Sequence, residues 1–137
     1  MTKYITFLIF SSSLVLSQSY KVQPPVVDIN GVIFRENDEL PYTGKITVFW
    51  ENNVLKEEGI YREGVKSGLW KYWYKSGNLF SKGIFRNGLK TGVWIEWHKN
   101  GSKKSQSIYR NGLKNGKEIN WSLEEVKLSE FSFHSGS

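Results

Sequence analysis

From Phe34 onward, apolar and polar residues alternate in short runs, and the runs recur every 24 residues. Residues 61–84, "YREGVKSGLWKYWYKSGNLFSKGI", and residues 85–108, "FRNGLKTGVWIEWHKNGSKKSQSI", agree at ten positions, and 85–108 agrees with 109–132 at ten again. The runs "LWKYWY" and "VWIEWH" are rich in aromatic and β-branched side chains, which favour extended backbone. "KSGN" and "KNGS" divide them from return strands ending at Ile84 and Ile108, and Gly with Asn supplies the positive φ of a hairpin turn. Each copy therefore predicts one β-hairpin, and a fixed period of this length implies stacked units. The fold expected is all-β: an antiparallel meander of stacked hairpins in a single elongated twisted sheet.

The same register runs backward, because Gly44, Phe49, Leu55, Gly59 and Ile60 each precede by 24 residues Gly68, Trp73, Leu79, Gly83 and Ile84. The chain thus divides into an N-terminal extension (20–33) expected to be a capping hairpin, a degenerate first repeat (34–60), three fuller repeats (61–84, 85–108, 109–132) and, at 133–137, either the start of a truncated repeat or the C-terminal end. Trp73, Trp97 and Trp121 form one column, Trp70 and Trp94 another. Columns three residues apart on a strand point to opposite faces. The first column, stacked, is expected to contribute on the order of 15 kcal/mol of gross hydrophobic stabilisation. The other face is apolar early (Ile46, Val48, Trp50, Trp70, Tyr72, Tyr74, Trp94) and polar later, and the apolar hairpin candidate "VVDINGVIF" is its nearest cover.

Charge sharpens the picture. The net charge is +6, yet residues 59–117 carry thirteen Lys or Arg against Glu63 and Glu96, while both flanks are acidic. Two strands per copy at about 4.8 Å would set Arg62, Arg86 and Arg110 roughly 10 Å apart, with Lys66, Lys90 and Lys114 beside them. This ladder is a candidate site for an anionic lipid or envelope polymer; the plainer alternative is that these cations keep the sheet soluble and block edge pairing. Trp50, Trp70, Tyr72 and Tyr74 form a candidate aromatic patch for a protein partner, unless they are simply core.

At the N-terminus, "MTKYITFLIFSSSLVLSQS" has one cation, Lys3, an apolar run and then small residues, as a secretion signal (1–19) has, with cleavage after Ser17 or Ser19. The alternative is a short membrane anchor, although the run is shorter than the ~20 residues of a spanning helix. The expected localisation is exported: periplasmic, outer-surface or secreted. The absence of cysteine excludes disulfides, thiolate metal sites and thiol nucleophiles.

The register "YREGVKSGLWKYW", together with "PYTGKITVFWENNVLKEEG" at 41–59, resembles the MORN-repeat-variant family, a group that includes proteins labelled YwqK-type antitoxins. The resemblance implies stacked antiparallel hairpins and a binding or scaffolding role. Departures from the family's Asn-Gly turn at Asn52-Asn53 and at Leu123-Glu124-Glu125 leave the outer copies irregular. An antitoxin that neutralises one partner toxin is the alternative, and export sits awkwardly with it.

No catalytic, cofactor or metal residue stands out, and the chain is read as no enzyme. Nucleophile-elbow and phosphate-loop motifs are missing, and His98 and His134 occupy different repeat positions. Glu57 and Glu58 are adjacent on one strand and so point apart. The sequons at Asn100 and Asn120 matter only in a eukaryotic secretory pathway. Nucleic acid could stack on aromatics beside cations, but export argues against it.

Overall fold

The computed structural model describes residues 21–23 and 26–134, so the expected secretion signal lies outside the described residues. Its strands are β1 (Lys21–Gln23), β2 (Val26–Ile29), β3 (Val32–Arg35), β4 (Gly44–Phe49), β5 (Leu55–Arg62), β6 (Val65–Trp73), β7 (Leu79–Arg86), β8 (Leu89–Trp97), β9 (Lys103–Arg110), β10 (Leu113–Trp121) and β11 (Lys127–Phe133). The described residues contain no helix. Nine strands form one antiparallel sheet in the order β1-β4-β5-β6-β7-β8-β9-β10-β11, a meander in which each strand from β4 pairs with its successor. β2 and β3 form a second, two-stranded sheet of their own, so the architecture is one long sheet plus a separate hairpin.

Short turns at 63–64, 87–88 and 111–112 join β5 to β6, β7 to β8 and β9 to β10. Both residues of each turn have positive φ, as in Asn87 (51°) and Gly88 (77°), the geometry whose twist matches that of paired strands. Neighbouring turns lock together: Gly88 N–H donates to the Lys66 carbonyl (3.0 Å) and Gly112 N–H to that of Lys90 (2.9 Å). The β2–β3 hairpin closes the first of these positions. Ile33 N–H donates to the Gly64 carbonyl (2.9 Å), and Gly64 N–H to that of Tyr42 (2.8 Å). It therefore seats against the turn edge of the sheet.

At the opposite edge, side chains tie each loop to the next. Trp50 Nε1–H donates to the Trp73 carbonyl (3.1 Å), and the Tyr74 hydroxyl donates to that of Trp97 (2.8 Å). His98 Nε2 lies 3.1 Å from the Trp121 carbonyl, which can only accept, so that nitrogen carries the proton. Three different side chains at one repeat position do the same work.

The core differs from the tryptophan column expected to stack. Trp73, Trp97 and Trp121 are only half-buried. The sealed residues are Trp70 (0% exposed) and Trp94 (5%), with Tyr42, Ile46 and Val48. The reason lies in two glycines. Between Glu58 and Ile60 the partner strand advances from Lys71 to Ser67, a bulge that brings Trp70 across Gly59; β7 and β8 repeat it at Gly83 and Trp94. A Cβ at Gly59 would lie 2.2 Å from the Trp70 ring, and one at Gly83 2.1 Å from the Trp94 ring. Each indole thus lies flat against bare backbone and donates its N–H to a carbonyl, Trp70 to Ile60 (3.2 Å) and Trp94 to Ile84 (3.3 Å). Tyr61 and Phe85 meet the Trp70 ring edge-on at 5.1 and 6.1 Å, and Phe85 meets Trp94 at 5.0 Å. Burying each indole is worth about 5 kcal/mol before entropy is subtracted.

A methyl group at either glycine must displace an indole. Gly83→Ala is expected to lower stability by about 3 kcal/mol, whereas Ser107→Ala, at the same repeat position without an indole above it, costs about 1 kcal/mol. Urea unfolding followed by tryptophan fluorescence measures both, and equal costs would contradict the packing described.

Candidate binding surface

The strand register separates the six cations of the expected ladder. Tyr61 pairs with Lys66 and Arg62 with Val65, so consecutive cross-strand pairs place Lys66 and Arg62 on opposite faces. Phe85↔Lys90 with Arg86↔Leu89, and Tyr109↔Lys114 with Arg110↔Leu113, repeat the arrangement. The lysines share the face of Trp70 and Trp94; the arginines occupy the other.

On the tryptophan face the lysines are already engaged. Lys66 Nζ stands 3.9 Å above the Trp70 ring, donates to the Tyr72 hydroxyl (2.9 Å) and pairs with Glu57 (3.4 Å). Burial lowers its pKa, an effect that Glu57 partly offsets. Lys90 Nζ lies 4.2 Å above Trp94. In the next copy Glu118 replaces the tryptophan, and Lys114 forms an ion pair with it instead. That hydrogen-bonded pairing raises the pKa of Lys114 and lowers that of Glu118. Lysine at this position covers an indole or pairs with a carboxylate four residues on, so each of the three is engaged with its own sheet.

The aromatic patch divides in the same way. Trp70 is fully buried and cannot meet a partner. Tyr72 lies half-buried between Trp70 and Trp94, at 6.2 and 6.4 Å between ring centres. Trp50 and Tyr74 spend their polar groups on the neighbouring loop. These residues fill and couple repeats.

The arginine face is different. Arg62, Arg86 and Arg110 are exposed. Every ion pair found among the described residues uses lysine, and none of the three arginines pairs with a described carboxylate. Beside them Ile60, Leu69, Ile84 and Val93 are 45–50% exposed, one on each strand from β5 to β8. Leu69 pairs directly with Ile84, and Val93 with Ile108, so the aliphatic ridge is built of two cross-strand pairs, while Ile60 faces Ser67 and Ile84 faces Thr91 across the intervening bulges. Leu89 and Leu113, opposite Arg86 and Arg110, are exposed as well. The sequence pattern places Leu69 and Val93 on the apolar face of Trp73 and Trp97 but not Ile60 and Ile84, since Ile84 and Ile108 read as the ends of return strands; the recurrence of Ile60 and Ile84 at the period of 24 was the available signal.

Among the described residues, no group of acidic or imidazole side chains could hold a metal, and no helix is long and apolar enough to cross a membrane. The MORN repeat variant family model matches residues 42–63, 66–87 and 90–111, three consecutive repeats. The chain belongs to this family. No curated protein and no solved structure matches at a significant level. Each matched MORN segment covers one strand, a loop and the return strand, and ends at the short turn. The matches stop at Asn111, just before the copy in which Glu118 stands in place of the tryptophan. MORN repeats are generally modules that bind proteins or membranes and are not typically enzymatic.

The buried tyrosines give the MORN sheet an alkaline signature. Burial, with Glu57 and Asp28 nearby, pushes Tyr61 up to about 12. A folded pKa above the unfolded one favours the native state below the ordinary tyrosine value, and that stability is lost as pH rises from about 10 to about 12. Urea midpoints measured across this window are expected to fall for the wild type and to fall less for Tyr61→Phe. Parallel curves would show that Tyr61 ionises as freely folded as unfolded.

Proposed function

We propose that this protein is a non-enzymatic, exported binding module that offers its arginine face to an anionic partner, either a protein or a component of the cell envelope. The observation that carries this reading is one face combining three exposed arginines without carboxylate partners and a half-exposed aliphatic ridge. Unpaired guanidinium groups attract anions, and exposed aliphatic surface beside them adds apolar contact once an anion has drawn the partner close. The general role of MORN repeats in binding supports the reading. From the three arginines alone, an anionic membrane surface would gain about 3 kcal/mol from charge, enough for reversible adhesion. The apolar N-terminal segment supports export.

Sedimentation with anionic vesicles, and with anionic envelope polymer, tests the charge. Changing Arg62, Arg86 and Arg110 to serine is expected to abolish co-sedimentation at low salt, while high salt abolishes that of the wild type. Equal binding by the two proteins removes the arginine face from the function. The antitoxin alternative is separated by N-terminal sequencing of the native protein: loss of the first 17 or 19 residues supports export, whereas an intact Met1 in a cytosolic fraction favours an antitoxin.

A further inference from the structure

Along the turn edge of the arginine face, the residues at the ends of successive strands are Arg62, Val65, Arg86, Leu89, Arg110 and Leu113. Each arginine is paired across the ladder with the aliphatic residue that follows it. Cation and hydrocarbon therefore alternate strand by strand, and ideal strand spacing sets the backbones of successive arginines about 9.6 Å apart. Between the first two turns the surface is concave. A groove of about 540 Å³ runs there, with Arg62 and Arg86 on its sides and Val65, Ser67 and Ile84 among its lining residues.

The pitch selects a ligand conformation. In a polyproline II segment every third side chain points the same way, about 9.3 Å apart, so over the two intervals from Arg62 to Arg110 it drifts from the arginine row by less than about 1 Å. An extended β-segment repeats on one side at about 6.7 or 13.4 Å and misses the row at once. An α-helix repeats at about 10.5 Å per heptad, drifts by about 2 Å over the same span, and is about 10–12 Å wide. A planar anionic surface has no pitch to match.

We propose that this edge binds an acidic protein segment in the polyproline II conformation, with carboxylates at every third residue on the arginines and small aliphatic side chains against Val65, Leu89 and Leu113. The proposal rests on the anionic-partner reading above and names the partner's chemistry. Arginine suits the task because its planar fork takes a carboxylate through two parallel hydrogen bonds. One residue works against it. Glu63 lies on the rim of the first groove, where the later turns carry Asn87 and Asn111. Because Glu63 has φ +48°, a conformation that asparagine adopts more readily, Glu63→Asn relieves the repulsion without straining the turn.

Fluorescence anisotropy with labelled peptides tests the match. A peptide of repeated Glu-Pro-Leu triplets is expected to bind the full-length protein, and isomers of the same composition with glutamate at every second or every fourth position to bind about tenfold more weakly. Arg62→Gln, Arg86→Gln and Arg110→Gln together should abolish binding while leaving the circular dichroism unchanged, and Glu63→Asn should tighten it. Equal affinity for all spacings overturns the proposal, since charge alone would then suffice. So does a protein that ignores every peptide but co-sediments with phosphatidylglycerol vesicles through the same arginines, a result that leaves the anionic-partner reading standing. Binding to neither peptide nor vesicle defeats both.

Discussion

Gly59 and Gly83 leave bare backbone under Trp70 and Trp94, and the molecule is organised around what that permits. A lone sheet exposes both faces, and with no second layer of comparable size it must make a core from within itself. Here each indole lies against its neighbouring strand, so that one strand is the second layer for the next. The bulge that shifts the register by two residues is what aims the ring at the glycine. Flanking Tyr61, Phe85 and Tyr109 close the ring edges, and lysine covers the exposed side.

The ends of the array follow from the same rule. In the last hairpin Glu118 stands where the tryptophan would be and Ser107 where the glycine would be, and a hydrogen bond from the Ser107 hydroxyl to Glu118 (3.2 Å) replaces the stacked pair. One repeat further, Phe131 occupies the glycine position. At the other end Ile33 of the β2–β3 hairpin donates to the Gly64 carbonyl of the first turn and the Tyr42 carbonyl accepts from Gly64 N–H, and a Cβ on Gly64 would lie 2.3 Å from the Val32 side chain.

The two faces of the sheet are built differently. On the tryptophan face the repeat lysines are engaged within the sheet, Lys66 and Lys90 over indoles and Lys114 with Glu118. The opposite face also sets lysines over indoles, Lys82 over Trp97 and Lys103 over Trp121, yet its aliphatic residues stay half-exposed and its three strand-end arginines pair with no described carboxylate. Sheets of this kind commonly pack one face and leave the other to solvent or to a partner.

The sequence by itself determined the hairpin period, the strand and turn positions, the antiparallel meander and the MORN membership, because all of these are local and repeated: a turn dipeptide and an alternating run need only their immediate neighbours. The opposition of the two tryptophan columns was equally legible, since alternation fixes it. Which column became core was not. That outcome depended on whether a glycine in another strand faced the ring, and hence on a bulge that the alternation of Leu69, Trp70 and Lys71 does not reveal. The six cations looked like one ladder for the same reason: Arg62 and Lys66 are four residues apart in the chain, and only the pairing across the turn shows that they face opposite ways. Cross-strand register, which no short window of sequence contains, decided which cations lie over the core indoles and which stay exposed on the other face.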